Sequence, residues 1–331
     1  MKLYTANGNK DIKVVELENS APEEYVKLKV SMVYPSLADL SVYEGKLDID
    51  YPRVPCRMAT AVVGEDRPEY GLKLGSRVLI NPYVNPILPE DENYSDVEVY
   101  GIDRDGFLRD FLSMPIDNII PFPEEVKEDE AIFADVVAVA LKIINEIKPE
   151  KGEYIALIGG SLLMNVTAQL ALYYQAIPIV VSADERFLKL AEKMGVYYTI
   201  NERLEDVKKR VFSITGGRMA DHTVQHALDN VTPNFIYSLA SRGGECVIAS
   251  LNSNFIPRQE ADLSMVAKNN LVVKGVCCGI EEFNSAINVL AQKILNFEGF
   301  IDKIVPIQEA KELFDELSED HFRYQGAVIR V

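Results

Sequence analysis

Over residues 26–33 (VKLKVSMV) apolar and polar positions alternate, the period-two signature of a half-buried strand. Residues 76–82 (SRVLINP) follow a GLKLG turn in the same style, and Gly, Pro and Asp punctuate the rest of residues 2–121. This first third predicts an irregular β-rich domain. Residues 82–105 keep no period, and with their prolines and seven acidic side chains they predict a surface lobe or loop. From Glu128 the rhythm changes. Residues 128–147 (EDEAIFADVVAVALKIINEI) carry apolar side chains at helical spacing behind an acidic first turn. Residues 154–160 (YIALIGG) predict a buried strand ending in glycines, residues 161–176 a helix, and residues 177–182 (IPIVVS) a second strand. A helix over 184–194 closed by Gly195, strands over 196–201, 222–228, 245–250 and 271–276, and a helix over 280–295 continue the series. Strands alternating with helices predict an α/β fold with a doubly wound parallel sheet.

The length of 331 residues suggests about two domains. With 48% hydrophobic and 26% charged residues the chain can bury a sizeable core, which excludes a disordered or membrane-embedded class. Against 34 Lys and Arg stand 51 Asp and Glu, a net charge of −17, so neither nucleic acid nor an anionic membrane is an expected partner. The N-terminus is polar from its third residue on and no run approaches the roughly 18 apolar residues of a membrane span, which gives a cytoplasmic expectation. Cys56, Cys246, Cys277 and Cys278 follow no disulfide or metal-knuckle spacing and read as reduced, buried thiols. His222 and His226 stand four apart, but in a strand pattern, and read as satisfied polar residues rather than metal ligands. The acidic run from 90 to 98 reads as a solvated face. Hydrolase and phosphotransferase motifs are missing, which leaves small-molecule chemistry or a protein partner.

Several stretches in order, VKLKVSMVYPSLADLSVYEG, YPRVPCRMATAVVGE, GLKLGSRVLINP, GIDRDGFLRDFLSMPIDNIIPFPEEV, FADVVAVALKII, KPEKGEYIALIGG, VVSADERFLKLAEKMGVYYTIN and SRGGECVIAS, cover nearly the whole chain. Together they resemble the medium-chain dehydrogenase/reductase superfamily of alcohol, sorbitol and threonine dehydrogenases. The resemblance implies a GroES-like β-rich catalytic domain, residues 1–124 and 297–331, and a Rossmann nucleotide-binding domain, residues 125–296. Zinc-dependent members carry a cysteine where this chain has Ser36, a His-Glu pair where it has Arg57 and Met58, and a glutamate or cysteine near Asp135. A hydroxyl is a poor zinc ligand and a guanidinium has no lone pair to give, so no zinc is expected. The cysteine-rich structural lobe of many members corresponds to the cysteine-free residues 82–105.

The family's Gly-x-Gly-x-x-Gly falls on Gly159, Gly160, Ser161, Leu162, Leu163 and Met164, which keeps only the first glycine in its place. Met164 has to push its helix outward or point away. Ser182 stands where an acidic residue would hold the adenosine ribose, and Arg186 follows four residues on, which favours NADP over NAD. Leu228, Ser250 and Cys277 complete the cofactor-facing set, with Asp229 and Ser250 at positions usually occupied by glycine. The resemblance therefore implies a zinc-independent oxidoreductase that moves hydride between NAD(P) and a small carbonyl or hydroxyl compound in the interdomain cleft. Arg57 and Asp135 are expected to form an ion pair at the former metal position, either a buried pair that only fills the vacated site, the reading put first, or one in which Arg57 stands in as the electrophile and Ser36 with Tyr34 passes the proton. Asp39 is expected to be structural. The alternative is a non-catalytic relative that serves as a binding or scaffold protein. In either case the expected assembly is a homodimer or homotetramer, paired through the strand LVVKGV.

Overall fold

A computed structural model describes residues 1–18, 21–86, 97–226, 232–250 and 260–331. It divides into one unit of Met1–Asp135 with Phe297–Val331 and a second of Val136–Asn296. The chain begins with an antiparallel pair, β1 (Lys2–Ala6) and β2 (Ile12–Glu16). Then come β3 (Val26–Tyr34), α1 (Leu37–Glu44), β4 (Met58–Val63), β5 (Arg77–Ile80), β6 (Phe111–Met114), β7 (Ile119–Pro121) and α2 (Glu128–Ala131). The alternation read in residues 26–33 becomes the two faces of β3: Val26, Leu28 and Val30 are buried, while Lys27 and Lys29 face solvent.

The second unit runs α3 (Ala134–Ile147), whose first two residues belong to the first unit, then β8 (Tyr154–Ile158), α4 (Leu162–Tyr173), β9 (Ile177–Ser182), α5 (Glu185–Lys193) and β10 (Tyr198–Asn201). It continues with α6 (Val207–Ile214), β11 (Ala220–His226), α7 (Pro233–Leu239), β12 (Ala240–Ser250), α8 (Leu263–Asn269), β13 (Val272–Cys277) and α9 (Phe283–Ala291). The chain then returns to the first unit as β14 (Lys303–Pro306), α10 (Ala310–Glu319) and β15 (Ala327–Arg330).

The sheet of the first unit has the order β14-β15-β3-β4-β5-β7, with β6 also paired to β3. In the second unit six strands lie in the order β10-β9-β8-β11-β12-β13, and every pairing is parallel. Numbered along the chain this is 3-2-1-4-5-6, the Rossmann order. The chain reverses direction of travel between β8 and β11, so the crevice beyond the carboxyl ends of these two strands is the binding position of such a sheet. The α/β class with a β-rich unit and a doubly wound unit is the one the sequence predicts.

The single helix expected over 128–147 is two. Ile132 and Phe133 form a turn between them, Ile132 keeping right-handed dihedrals. The break seats the Phe133 ring among three others, 5.4 Å from Tyr34, 5.5 Å from Phe297 and 6.0 Å from Phe300. The helix expected over 280–295 is confined to α9 after a short 3₁₀ turn over Ile280–Glu282. Among the described residues no helix is long and apolar enough to cross a membrane.

Candidate active site

Arg57 directly precedes β4 and Asp135 is the second residue of α3. The two meet as an ion pair, Arg57 Nη2 to Asp135 Oδ2 at 2.8 Å, with only 1% of each side chain exposed. A third residue, which the sequence reading did not single out, joins them. Tyr83 donates its hydroxyl to Asp135 Oδ1 at 2.9 Å and accepts from Arg57 Nη2 at 3.3 Å, and the guanidinium carbon lies 5.5 Å from its ring centroid. The backbone of Tyr83 is held on both sides: its amide donates to the Asn81 side chain at 3.1 Å and its carbonyl accepts from the Asn118 side chain at 2.6 Å.

Burial alone lowers the Arg57 pKa, but Asp135, Tyr83 and Asp39 more than offset this, and the guanidinium keeps its proton. Burial raises the Asp135 carboxyl above its ordinary value, while Arg57 and Tyr83 pull it back. The Tyr83 hydroxyl on Oδ1 and the guanidinium charge beside Oδ2, which itself receives no aligned hydrogen bond, favour the ionised form. The turn before Arg57 is unusual: Cys56 has φ +71, a left-handed conformation rarely taken by a residue with a side chain. It is pinned there by its amide, which donates to Asp39 Oδ1 at 2.8 Å, and by its carbonyl, which accepts from the Phe107 amide at 2.7 Å.

Ser36 is the N-cap of α1. Its hydroxyl donates to Asp39 Oδ2 at 2.6 Å and its amide to the same oxygen at 2.8 Å, a capping box closed by the Asp39 amide. Asp39 thus ties α1 to the Cys56 turn. Tyr34 lies edge-on to Phe133; burial, then Asp302 and Asp39, raise its phenol above the ordinary value, so it stays protonated. Ser36, Tyr34, Arg57 and Asp135 all belong to the first unit, with the ion pair closed around Tyr83 and Ser36 engaged with Asp39.

In the second unit β8 ends at Ile158 and the chain turns through Gly159, whose φ of +117 favours glycine. A methyl group at Gly160 would lie 2.8 Å from Ser182 Oγ, so the turn and the end of β9 pack with no room for a side chain. Ser161 caps α4, accepting at its Oγ from the Met164 amide at 3.4 Å. The amides of Leu162 and Leu163, in the first turn, have no acceptor within the helix and suit an anion. Met164 is buried, so its side chain is accommodated inside the unit.

Ser182 Oγ accepts from the Asp184 amide at 3.0 Å. Asp184 caps α5 and pairs with Arg186, Nη2 to Oδ2 at 2.7 Å. Burial opposes this charge, but the bonds from Arg186 hold the Asp184 carboxyl below its ordinary value. An acidic group therefore does follow β9, two residues later than expected. Ser250 is buried opposite Cys277, and its carbonyl accepts from the Cys278 amide at 3.1 Å. Leu228 and Asp229 lie outside the described residues, as does most of the acidic run, 90–96.

The two histidines differ, which corrects the expectation that both are satisfied. His222 Nε2 lies 2.9 Å from Glu153 Oε2, and Nδ1 is 3.5 Å from Glu245. His226, at the carboxyl end of β11, is 3% exposed with neither ring nitrogen hydrogen-bonded, and burial drives its pKa down to about 4. Both side-chain polar atoms of Asn165 in α4 are likewise buried and unbonded. Nothing in the sequence pattern distinguishes these residues from ordinary strand and helix polar positions. Among the described residues no group of three or more His, Cys, Asp or Glu is placed to hold a metal ion.

Residues 165–292 match the model of a family described as zinc-binding dehydrogenase. The chain is 25% identical to an uncharacterized zinc-type alcohol dehydrogenase-like protein of Haemophilus influenzae, covering 87% of this chain and 86% of the relative. It is 23% identical to a sorbitol dehydrogenase of Bacillus subtilis, over 95% and 93%. Its fold superposes with a TM-score of 0.85 on the alcohol dehydrogenase TADH from Thermus sp. ATN1, at 18% identity and complete coverage of both chains. A putative zinc-binding dehydrogenase from Sinorhizobium meliloti 1021 bound to NADP superposes at 0.86, at 17% identity over 100% of this chain and 99% of that one. The family match in the second unit and the relatives over nearly the whole length make the chain similar to the medium-chain dehydrogenase/reductase superfamily, whose fold it shares.

Proposed function

We propose that the protein is a zinc-independent oxidoreductase that transfers hydride between a nicotinamide cofactor and a small carbonyl or hydroxyl compound. The observation that carries this reading is the turn through Gly159 and Gly160 into the capped start of α4, beside the switch point of the parallel sheet. A bound nicotinamide supplies the hydride exchange. The chain's own part is to receive the pyrophosphate on the amides of Leu162 and Leu163, with Gly160 letting the turn pack closely on Ser182. Tyr34, which keeps its proton, is the residue we assign to hydrogen-bond the substrate oxygen.

Zinc independence is supported by the donor set. Arg57 brings a cation where a ligand would be needed, and the Ser36 hydroxyl gives its hydrogen to Asp39. Burial, reinforced by Asp39, holds the Cys56 thiol well above its ordinary pKa, so it is no thiolate ligand. These residues do not fit a zinc ion. The Arg57, Asp135 and Tyr83 cluster acts first as a positioning element, since a guanidinium with 1% exposure has little face to offer a substrate. The same commitment of Ser36 and Arg57 favours a second reading, a relative that binds the dinucleotide without turnover.

NADP is favoured over NAD because Ser182 itself carries no carboxylate and the Asp184 carboxylate that follows it is paired with Arg186. Asn201 pairs with Ser182, so Arg203 and Arg186 both follow strand ends at this edge, beside the carboxylates Asp184, Glu185 and Glu202. Calorimetric titration of chelator-treated protein with the four nicotinamide nucleotides tests the whole reading. Tight binding of a phosphorylated nucleotide is expected, with turnover undiminished by the chelator. Binding without turnover on any carbonyl substrate supports the second reading, and no binding removes both. Ser182→Asp is expected to shift preference toward NAD by about tenfold or more, about 1.4 kcal/mol; an unchanged ratio removes the NADP assignment.

We also propose a homodimer or homotetramer built on the free edge of β13. Val272 is 45% exposed and Val273 40%, an apolar edge that a second copy would cover. Light scattering is expected to give a multiple of 37.1 kDa, and a 37.1 kDa particle at micromolar concentration refutes the assembly.

A further inference from the structure

We propose that Cys277 and Cys278 are a modification site: a vicinal dithiol that a hydroperoxide converts reversibly into a disulfide. The pair sits where β13 ends. Cys277 is the last residue of the strand and half-buried, whereas Cys278 is 2% exposed. Cys278 has φ +54, a left-handed conformation that a residue with a side chain adopts only when its surroundings impose it. Here they do. Its amide donates to Ser250 at 3.1 Å, and the following Gly279 lies so close to α3 that a methyl group there would be 2.6 Å from Ala138 Cβ and 2.7 Å from the Val139 amide nitrogen. Within this constrained turn the two thiols are neighbours along the chain, and the Cys277 thiol together with burial holds the Cys278 thiol above its ordinary pKa, so Cys278 keeps its proton. Lys142, further along α3, places a positive charge near Cys278 and pairs with Glu281 at 3.2 Å.

The exposure difference assigns the roles. Cys277, as its thiolate, attacks the peroxide; a sulfur–oxygen bond forms, the oxygen–oxygen bond breaks, and the departing hydroxide takes a proton to become water. The Cys278 sulfur then attacks the sulfenic sulfur of Cys277. A sulfur–sulfur bond forms, the sulfur–oxygen bond breaks, and the second hydroxide leaves as water with the Cys278 proton. Two electrons pass from the two thiols to one peroxide. Successive Cα atoms are about 3.8 Å apart, below the roughly 4.4 Å at which ordinary disulfides begin, so the small ring is strained and a dithiol reductant reopens it.

The carboxyl edge of β13 is also the edge on which β8 gives way to Gly159 and Gly160. Oxidation is therefore expected to weaken nucleotide binding, an effect that rests on the proposed function, whereas the disulfide itself does not. The test treats the full chain with a small excess of hydrogen peroxide, alkylates free thiols, digests and weighs the peptides. The peptide holding both residues is expected unalkylated and lighter by two hydrogen atoms, and alkylated again after reduction. Two alkylated or over-oxidised cysteines, or a link to Cys56, Cys246 or a second chain, overturns the proposal. In Cys278→Ser the sulfenic acid is expected to persist on Cys277 and to take a dimedone label; labelling elsewhere, or none, overturns the assigned order. A nucleotide titration before and after oxidation reads the effect on binding, with a loss of about threefold or more expected. A disulfide with unchanged binding removes only the coupling to the cofactor.

Discussion

Arg57→Ala is expected to lower the unfolding free energy by about 3–5 kcal/mol, the usual cost of removing one partner from a buried ion pair. The substitution leaves Asp135 with 1% exposure and only Tyr83 to answer its charge. Desolvation of an isolated carboxylate is too costly for the native state to bear, so the group takes up a proton or the site opens to water. Replacing both partners is a different experiment. Arg57→Met with Asp135→Leu removes the two charges and fills the space with apolar side chains of similar size, and most of the lost stability is expected to return. Activity is expected to return with it, because the cluster is proposed to position its surroundings rather than touch substrate. Urea unfolding of the wild type, the single variant and the double variant reads the first quantity, and turnover at saturating cofactor reads the second. A stable but inactive double variant would assign the guanidinium to the substrate. A double variant as unstable as Arg57→Ala would contradict the account of the pair as a buried charge balance.

Between pH 6.5 and about 4, His226 is expected to withdraw about 3 kcal/mol of stability, at about 1.4 kcal/mol for each tenfold difference in proton affinity between the folded and unfolded chain. The sign follows from burial. In the folded protein the imidazole is neutral down to about 4, whereas in the unfolded chain it binds a proton near 6.5. The unfolded state therefore holds more protons in this window, and stability falls as the pH falls. Above 6.5 both states are neutral and the residue contributes no pH dependence. Carboxylates titrate over part of the same range, so the informative quantity is the difference between wild type and His226→Leu. The wild-type curve is expected to steepen relative to the variant below pH 6.5; parallel curves would falsify the burial account of this histidine.

The parts of the molecule that could be read from sequence are those where one periodicity runs unopposed. The alternation of residues 26–33 survives because β3 has one buried and one exposed face, and the strand-helix alternation from Tyr154 survives because each helix covers a parallel sheet. Reading fails where local pattern and tertiary contact disagree. Ala131, Ile132 and Phe133 continue a helical apolar pattern, yet the aromatic cluster around Phe133 requires a break there. β12 begins at Ala240 rather than near 245: Ala240 pairs with Ala220 of β11, and Ser241, Arg242, Gly243 and Gly244, which carry no strand pattern, fall in the register shift before Glu245 pairs with His222. Arg57 and Asp135 were visible through the positions they occupy in a resemblance. Tyr83 was not, since it lies in a proline-rich stretch without period and gains its role only by meeting them in space. Asp184 was hidden because attention falls on the residue at the end of β9, while the carboxylate that lies there arrives from a helix cap two positions later.

The place of β15 imposes an order on synthesis at the ribosome. This strand lies inside the sheet of the first unit, between β14 and β3, with Ile329 opposite Val33 and Arg330 opposite Met32. A segment made near the start of translation thus waits for a partner made some three hundred residues later, about 15–60 s at the usual elongation rates. The second unit is one continuous stretch, Val136–Asn296, and is complete well before that. It is therefore free to fold while the first unit still lacks its closing strands, and during that interval the edge of β3 at Met32 and Val33, beyond the part paired with β6, is open to the wrong partner. Shielding of the nascent N-terminal sheet, or slow closure after release, is the burden this topology places on the cell.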